Sequence, residues 1–96
     1  MIISFNSKST EDLFHGVDSK DARKIPQTIW EVATRKLDML NAASMLVDLK
    51  APPANRLEAL KGTLRGKYSI RINDRYRIVF AFKDGNAHEV EVTDYH

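Results

Sequence analysis

The run Tyr68-Ser69-Ile70-Arg71-Ile72-Asn73-Asp74-Arg75-Tyr76-Arg77-Ile78-Val79-Phe80-Ala81-Phe82 decides the fold class. Tyr68, Ile70 and Ile72 alternate with Ser69 and Arg71, and Tyr76, Ile78, Phe80 and Phe82 alternate with Arg77, Val79 and Ala81. A period of two puts each set on one face of an extended strand. Asn73-Asp74 is so short a link that the two strands must be antiparallel neighbours. Asp84-Gly85-Asn86 makes a second turn, after which Val90 and Val92, alternating with Glu89, Glu91 and Thr93, supply a third strand. A three-stranded meander of this kind needs its apolar face covered.

The cover lies upstream. Ile29, Ala33, Leu37, Leu40 and Ala43 recur at three- and four-residue steps, which predicts an amphipathic helix over residues 26–43. Pro26 is tolerated in its first turn, where no amide donor is required. Glu31 and Arg35 stand in the order that favours an i,i+4 pair. A shorter turn over residues 44–48 follows, and Pro52-Pro53 ends any helix by Ala51. Earlier in the chain, Ser9-Thr10-Glu11-Asp12-Leu13-Phe14 reads as one or two helical turns behind a hydroxyl cap, with Gly16 just beyond. Residues 17–23 form a polar connector, and Ile2-Ile3-Ser4-Phe5 suits an edge strand. The expected fold is a single α+β domain over residues 1–96, with two N-terminal helices packed on one face of a small antiparallel sheet.

Composition narrows the function. Ninety-six residues make one core, and 43% hydrophobic with 29% charged residues is ordinary for a globular domain. With no cysteine, disulfides and thiolate zinc sites are excluded. His15, His88 and His96 lack metal-ligand spacing, and there is no phosphate-loop or dinucleotide fingerprint, so neither a metal nor a cofactor is expected. No stretch approaches the roughly 18 apolar residues of a membrane helix, and the first residues lack the pattern of a signal peptide. The expectation is a soluble, cytoplasmic protein with no membrane partner.

Charge is uneven along the chain. Residues 54–77 carry Arg56, Lys61, Arg65, Lys67, Arg71, Arg75 and Arg77 against Glu58 and Asp74, a net of +5, while the rest of the chain carries −3. Such a segment is either a solvated face or the footprint of a polyanion partner. By strand parity Arg71, Arg75 and Arg77 point away from the core, and guanidiniums on a rigid surface match phosphate oxygens. Gly62 and Gly66 mark turns in a loop that could fold Lys61 over this face. Asp94-Tyr95-His96 then places a carboxylate, a phenol and an imidazole in succession, the groups that move protons near neutral pH.

Three stretches carry a resemblance: Pro53-Ala54-Asn55-Arg56-Leu57-Glu58-Ala59-Leu60-Lys61-Gly62, the run from Tyr68 to Phe80, and the closing Asp94-Tyr95-His96. In these the chain resembles the HigB-type toxins of the RelE/ParE superfamily, the toxins of bacterial toxin–antitoxin pairs. The resemblance implies a RelE/ParE-like fold and ribosome-dependent cleavage of mRNA in the ribosomal A site. It assigns Arg77 to the scissile phosphate, Lys61 to the family's loop lysine, and Asp94, Tyr95 and His96 to its C-terminal catalytic residues. Arg56, Arg65, Lys67, Arg71 and Arg75 are the expected RNA- or ribosome-binding residues. The implied partners are the ribosome, mRNA and a helix-turn-helix antitoxin of HigA type, with operator DNA reached only through the antitoxin. One departure is Glu58, which stands three residues before Lys61 where some HigB toxins carry a histidine. A ParE-like gyrase poison and a non-catalytic RNA- or ribosome-binding module are the alternatives.

Overall fold

A computed structural model describes residues 1–95. Two helices, α1 (Lys8–Phe14) and α2 (Trp30–Ala42), precede four strands: β1 (Glu58–Ala59), β2 (Tyr68–Arg71), β3 (Tyr76–Lys83) and β4 (Asn86–Asp94). The strands pair antiparallel in the order β1-β2-β3-β4. The α+β reading holds, with one strand more than the alternation predicts. Glu58 and Ala59 are too few to show a period, and their extended form comes from pairing with Ser69 and Tyr68.

The predicted stripe Ile29, Ala33, Leu37, Leu40 and Ala43 is buried in one cluster with Ile70, Ile72, Ile78, Phe80, Ala87 and Val90. Removing each leucine, isoleucine, valine or phenylalanine side chain among them from water contributes about 1.5–3 kcal/mol, so the cluster is the main source of stability. The helix begins later than predicted. Residues Gln27–Ile29 form a 3-10 turn after Pro26, and the α-helical bonds start at Trp30. Glu31 and Arg35 are both exposed, and among the described residues no ion pair joins them. The predicted turn after α2 is a 3-10 turn at Leu46–Lys50, and the polar connector contains another at Ala22–Lys24.

Capping of α1 falls two residues earlier than expected: Ser7, not Ser9, accepts the Thr10 amide at 3.2 Å. The N-terminal stretch makes two isolated parallel bridges, Ile2 to Ala87 and Phe5 to Val90, rather than a continuous edge strand. Between them β4 carries a bulge opposite Val79–Ala81, with Glu89 in the left-handed region at φ 54°. The extra residue lets Ala87 and Val90, an odd number of positions apart, both face the core. Beyond the bulge the register brings Val92 opposite Ile78, Thr93 opposite Arg77 and Asp94 opposite Tyr76.

Candidate active site

Arg71 and Arg77 are direct cross-strand partners on the sheet face turned away from the helices. Like charges so placed repel, and each guanidinium needs other company. Arg77 has three such contacts. Its Nε donates to Ser69 Oγ at 2.8 Å, its Nη2 donates to the Arg56 carbonyl at 2.6 Å, and its Nη1 lies 3.7 Å from Glu58 Oε1. The side chain is only 11% exposed, and Ser69 beneath it is fully buried. A planar fork held at all three nitrogens is oriented before any ligand arrives.

The Arg56 carbonyl reaches Arg77 because the chain turns sharply there. After the 3-10 turn Pro53–Asn55, Arg56 takes the left-handed conformation at φ 45°. That conformation costs a non-glycine residue about 1–2 kcal/mol, an outlay set against the bond its carbonyl accepts. Arg71 is held by Asp74 in the tight turn between β2 and β3. Asn73 shapes the same turn, its Oδ1 accepting the backbone N–H groups of Arg75 at 2.9 Å and Tyr76 at 2.8 Å. This is the local reason an asparagine stands at that position.

Tyr95 closes the arrangement. Its backbone N–H donates to the Arg75 carbonyl at 2.6 Å, and its ring centre lies 5.6 Å from the Arg77 guanidinium carbon. Arg56, Arg71, Asn73, Asp74, Arg77 and Tyr95 together line a cleft of about 220 Å³. Three arginines and one carboxylate, Asp74, line it, and the net positive charge suits an anion.

Other predicted site residues lie elsewhere. Arg75, expected beside Arg77, precedes β3 and turns to Asp94, which raises its pKa through the hydrogen bond first and the opposite charge second. Asp94 is therefore tied to Arg75, and neither residue lines the cleft. Lys61, Arg65 and Lys67 sit in the β1–β2 connection, which closes through the Leu60 amide donating to the Lys67 carbonyl at 2.9 Å. Lys61 and Arg65 are exposed, Lys67 lies 3.4 Å from Glu89, and none of the three lines the cleft. His96 lies outside the described residues.

Sequence reasoning missed Ser69, Asn73 and the contact of Glu58 with Arg77. A small hydroxyl residue on the outward parity of an interior strand was the available signal for Ser69. Glu58 gave none before β1 was known to pair with β2.

Comparison with known proteins bears on the family and the fold. Residues 3–96 match the family model described as the RelE-like toxin of the type II toxin–antitoxin system HigB. Toxin HigB-1 of Vibrio cholerae serotype O1 is 42% identical over 87 residues, covering 91% of this chain and 90% of that protein. A chain of the YoeB–YefM complex from Staphylococcus aureus superposes with a TM-score of 0.57 at 17% identity, over 100% of this chain and 98% of that one. A chain of a heterotetrameric YoeB–YefM toxin–antitoxin complex from the same organism gives 0.55 at 20% identity, with the same coverage. At these identities the structural likenesses bear on the fold alone. The sequence matches go further and run nearly end to end, through both the helices and the arginine-bearing strands: the chain belongs to the RelE-like HigB toxins of type II toxin–antitoxin systems.

Proposed function

We propose that this toxin is a ribosome-dependent endoribonuclease that cuts translated mRNA in the ribosomal A site. The observation that carries the reading is Arg77, fixed through Ser69 and Arg56 in a cleft that also holds Arg71 and Tyr95. In the proposed reaction the RNA 2′-oxygen attacks the adjacent phosphorus as the bond to the departing 5′-oxygen breaks, leaving a 2′,3′-cyclic phosphate. A base takes the 2′-hydroxyl proton, an acid protonates the 5′-oxygen, and cations hold the charge that builds on the phosphoryl oxygens.

Arg77 takes the last of these roles, and Tyr95 stacks on or orients a base beside it. Asp94 and His96 are the proposed proton carriers, and Lys61 a second cation. Asp94, paired with Arg75, and Lys61 both lie outside the cleft, so both must move toward the phosphate when RNA binds. Arg56 and Arg71 hold RNA at the cleft; Arg65, Lys67 and Arg75 serve the ribosome-facing surface. So few reacting groups suit a site whose substrate is positioned by a larger body, as the ribosome would do. Such a toxin acts in the cytoplasm. It is held in check by a helix-turn-helix antitoxin of HigA type, through which alone it meets operator DNA. The type II family assignment supports the antitoxin partner.

The test is to map 5′ ends of a message programmed on purified ribosomes after adding the toxin. Cuts within the A-site codon, and none on the free message, are expected. An intact message would overturn the nuclease reading, and inhibition of DNA supercoiling by gyrase in a parallel assay would replace it with the ParE-like one.

A further inference from the structure

Beside the cleft lies a second and larger cavity, of about 470 Å³, lined by Val32, Arg35, Lys36, Ala54, Arg56, Arg71, Ile72 and Asn73. It shares Arg56, Arg71 and Asn73 with the first, so the two form one trough running from Tyr95 to helix α2. Binding pockets for small organic ligands run to roughly 300–1,000 Å³. The first cavity falls below that range and the second falls within it.

Lys36 is the unusual residue here. It is 8% exposed, and its Nζ donates to Oδ1 of the fully buried Asn55. Asn55 is oriented for this bond by its own Nδ2, which donates to the carbonyls of Leu49 at 3.2 Å and Ala51 at 3.3 Å. A neutral amide cannot balance an ammonium, and among the described residues no carboxylate forms an ion pair with Lys36. Buried charges are ordinarily paired. Desolvation first, and the charge of Arg35 second, push the lysine pKa down. An anion in the cavity would supply the missing counter-charge. Val32, Ala54 and Ile72 add apolar surface beside the cations. A nucleotide combines these two characters, with its phosphate for the cations and the face of its base or sugar for the apolar surface.

Resting on the proposed nuclease reading, we infer that this second cavity seats the nucleotide next to the scissile phosphate, with Lys36 and Arg35 holding that nucleotide's own phosphate. The trough thus measures two successive phosphates, one at Arg77 and one at Lys36. Sequence gives no hint of the second, because Lys36 lies inside an otherwise ordinary helical pattern.

The test uses uncleavable 2′-O-methyl RNA, a dinucleoside monophosphate against a trinucleotide with one phosphate more, binding measured by calorimetry. Wild-type protein should hold the trinucleotide more tightly. Lys36→Met should weaken trinucleotide binding about tenfold or more, the scale of a broken charged hydrogen bond, and leave the dinucleoside unaffected. It should also reduce the salt slope by about 0.7, the share of one phosphate in single-stranded RNA. Arg35→Ala, at an exposed position, should weaken the trinucleotide in the same sense and keeps the test open if Lys36→Met fails to fold. Dinucleoside binding that is lost in Arg77→Ala, with trinucleotide affinity unchanged in both α2 variants, would overturn the second subsite alone. Failure of the trinucleotide to bind wild-type protein more tightly than the dinucleoside would overturn the second subsite, whereas the nuclease reading stands or falls on the mapping of ribosome-bound message. A pentaglutamate peptide whose binding is lost in Lys36→Met, while RNA affinity is unchanged, would assign the cavity to an acidic protein segment instead.

Discussion

Arg75 and Asp94 clamp the open ends of β3 and β4 together. Arg75 Nε donates to both carboxylate oxygens at 3.0 Å, and Nη2 to Oδ2 at 2.8 Å. The next residue after Asp94 is Tyr95, whose amide returns to the Arg75 carbonyl, so the clamp sets where the tyrosine ring lies over Arg77.

Breaking the clamp should therefore disturb the site more than the fold. Arg75→Ala removes an exposed ion pair of small worth to stability. Loss of Tyr95 alignment should lower mRNA cleavage by up to about 100-fold, the scale of a small misplacement at a reacting centre. Thermal melting close to wild type together with slowed cleavage of ribosome-bound message is the expected pair of results. Unchanged cleavage would separate the clamp from the chemistry.

Arg77→Ala should lower cleavage by about 100- to 1,000-fold, the usual effect of losing one positioned charge-stabilising donor. The fold should survive, because the side chain points away from the core, at a cost of about 1–3 kcal/mol for leaving buried Ser69 without its partner. Arg77→Lys should restore little, since a point charge cannot span Ser69, Arg56 and Glu58 together. Single-turnover cleavage beside chemical denaturation checks both parts, and near-normal cutting by folded Arg77→Ala would remove the residue from the reaction.

Deleting Tyr95 and His96 should leave a folded, antitoxin-binding protein that does not cut. Tyr95 is exposed and follows the last strand, so little core is lost. Melting and cleavage are measured together. Wild-type cleavage by the truncated chain would place the proton-transfer groups elsewhere, and if the chain simply unfolds, His96→Gln alone decides.

Replacing Arg56, Arg65 and Lys67 with alanine should weaken ribosome binding and flatten its dependence on salt, because fewer counterions are released. The slope should fall by roughly 0.7–0.9 for each phosphate no longer neutralised. Sedimentation with ribosomes across a salt series provides the measurement. An unaltered slope would make the segment a solvated face.

Stability should decline in acid through Asp12. Its carboxylate accepts Ser19 Oγ at 2.7 Å and Lys8 Nζ at 3.0 Å, and these bonds, Ser19 first, hold its pKa below the ordinary value. A depressed folded-state pKa contributes stability that is present above the unfolded value and lost as pH falls through the folded one. The denaturation midpoint should thus drop below about pH 4, and Asp12→Asn should flatten that part of the profile. An identical acid limb in the variant would clear Asp12 of the effect.

How far the sequence speaks depends on whether a feature is periodic. The α2 stripe and the β2 and β3 alternation are repeating patterns; the stripe, Ile70, Ile72, Ile78 and Phe80 are buried, and Tyr68, Tyr76 and Phe82 pack half-buried against them. Features that depend on register are invisible until the strands are paired. Ser69 meets Arg77 only because Arg71 stands opposite Arg77. Glu58 reaches the same guanidinium only because a two-residue strand pairs beside Ser69. Arg75 shares the parity of Arg77, but it lies just outside β3 and turns to Asp94. Lys36 reads as one more polar residue on a helix, since nothing in α2 tells of Asn55, which covers it from 19 positions away.

The facing arginines of β2 and β3 carry a consequence for the chain's history. Two cations in direct register oppose the sheet that bears them. Arg77 is bound into its surroundings at three nitrogens, whereas Arg71 is held by the single carboxylate of Asp74 in an exposed turn. Arg71 is thus the member whose loss relieves the repulsion while breaking least. In a gene copy no longer selected for its toxin, drift toward a steadier sheet would erase Arg71 before Arg77, and an uncharged residue at position 71 would mark a fossil toxin that still folds.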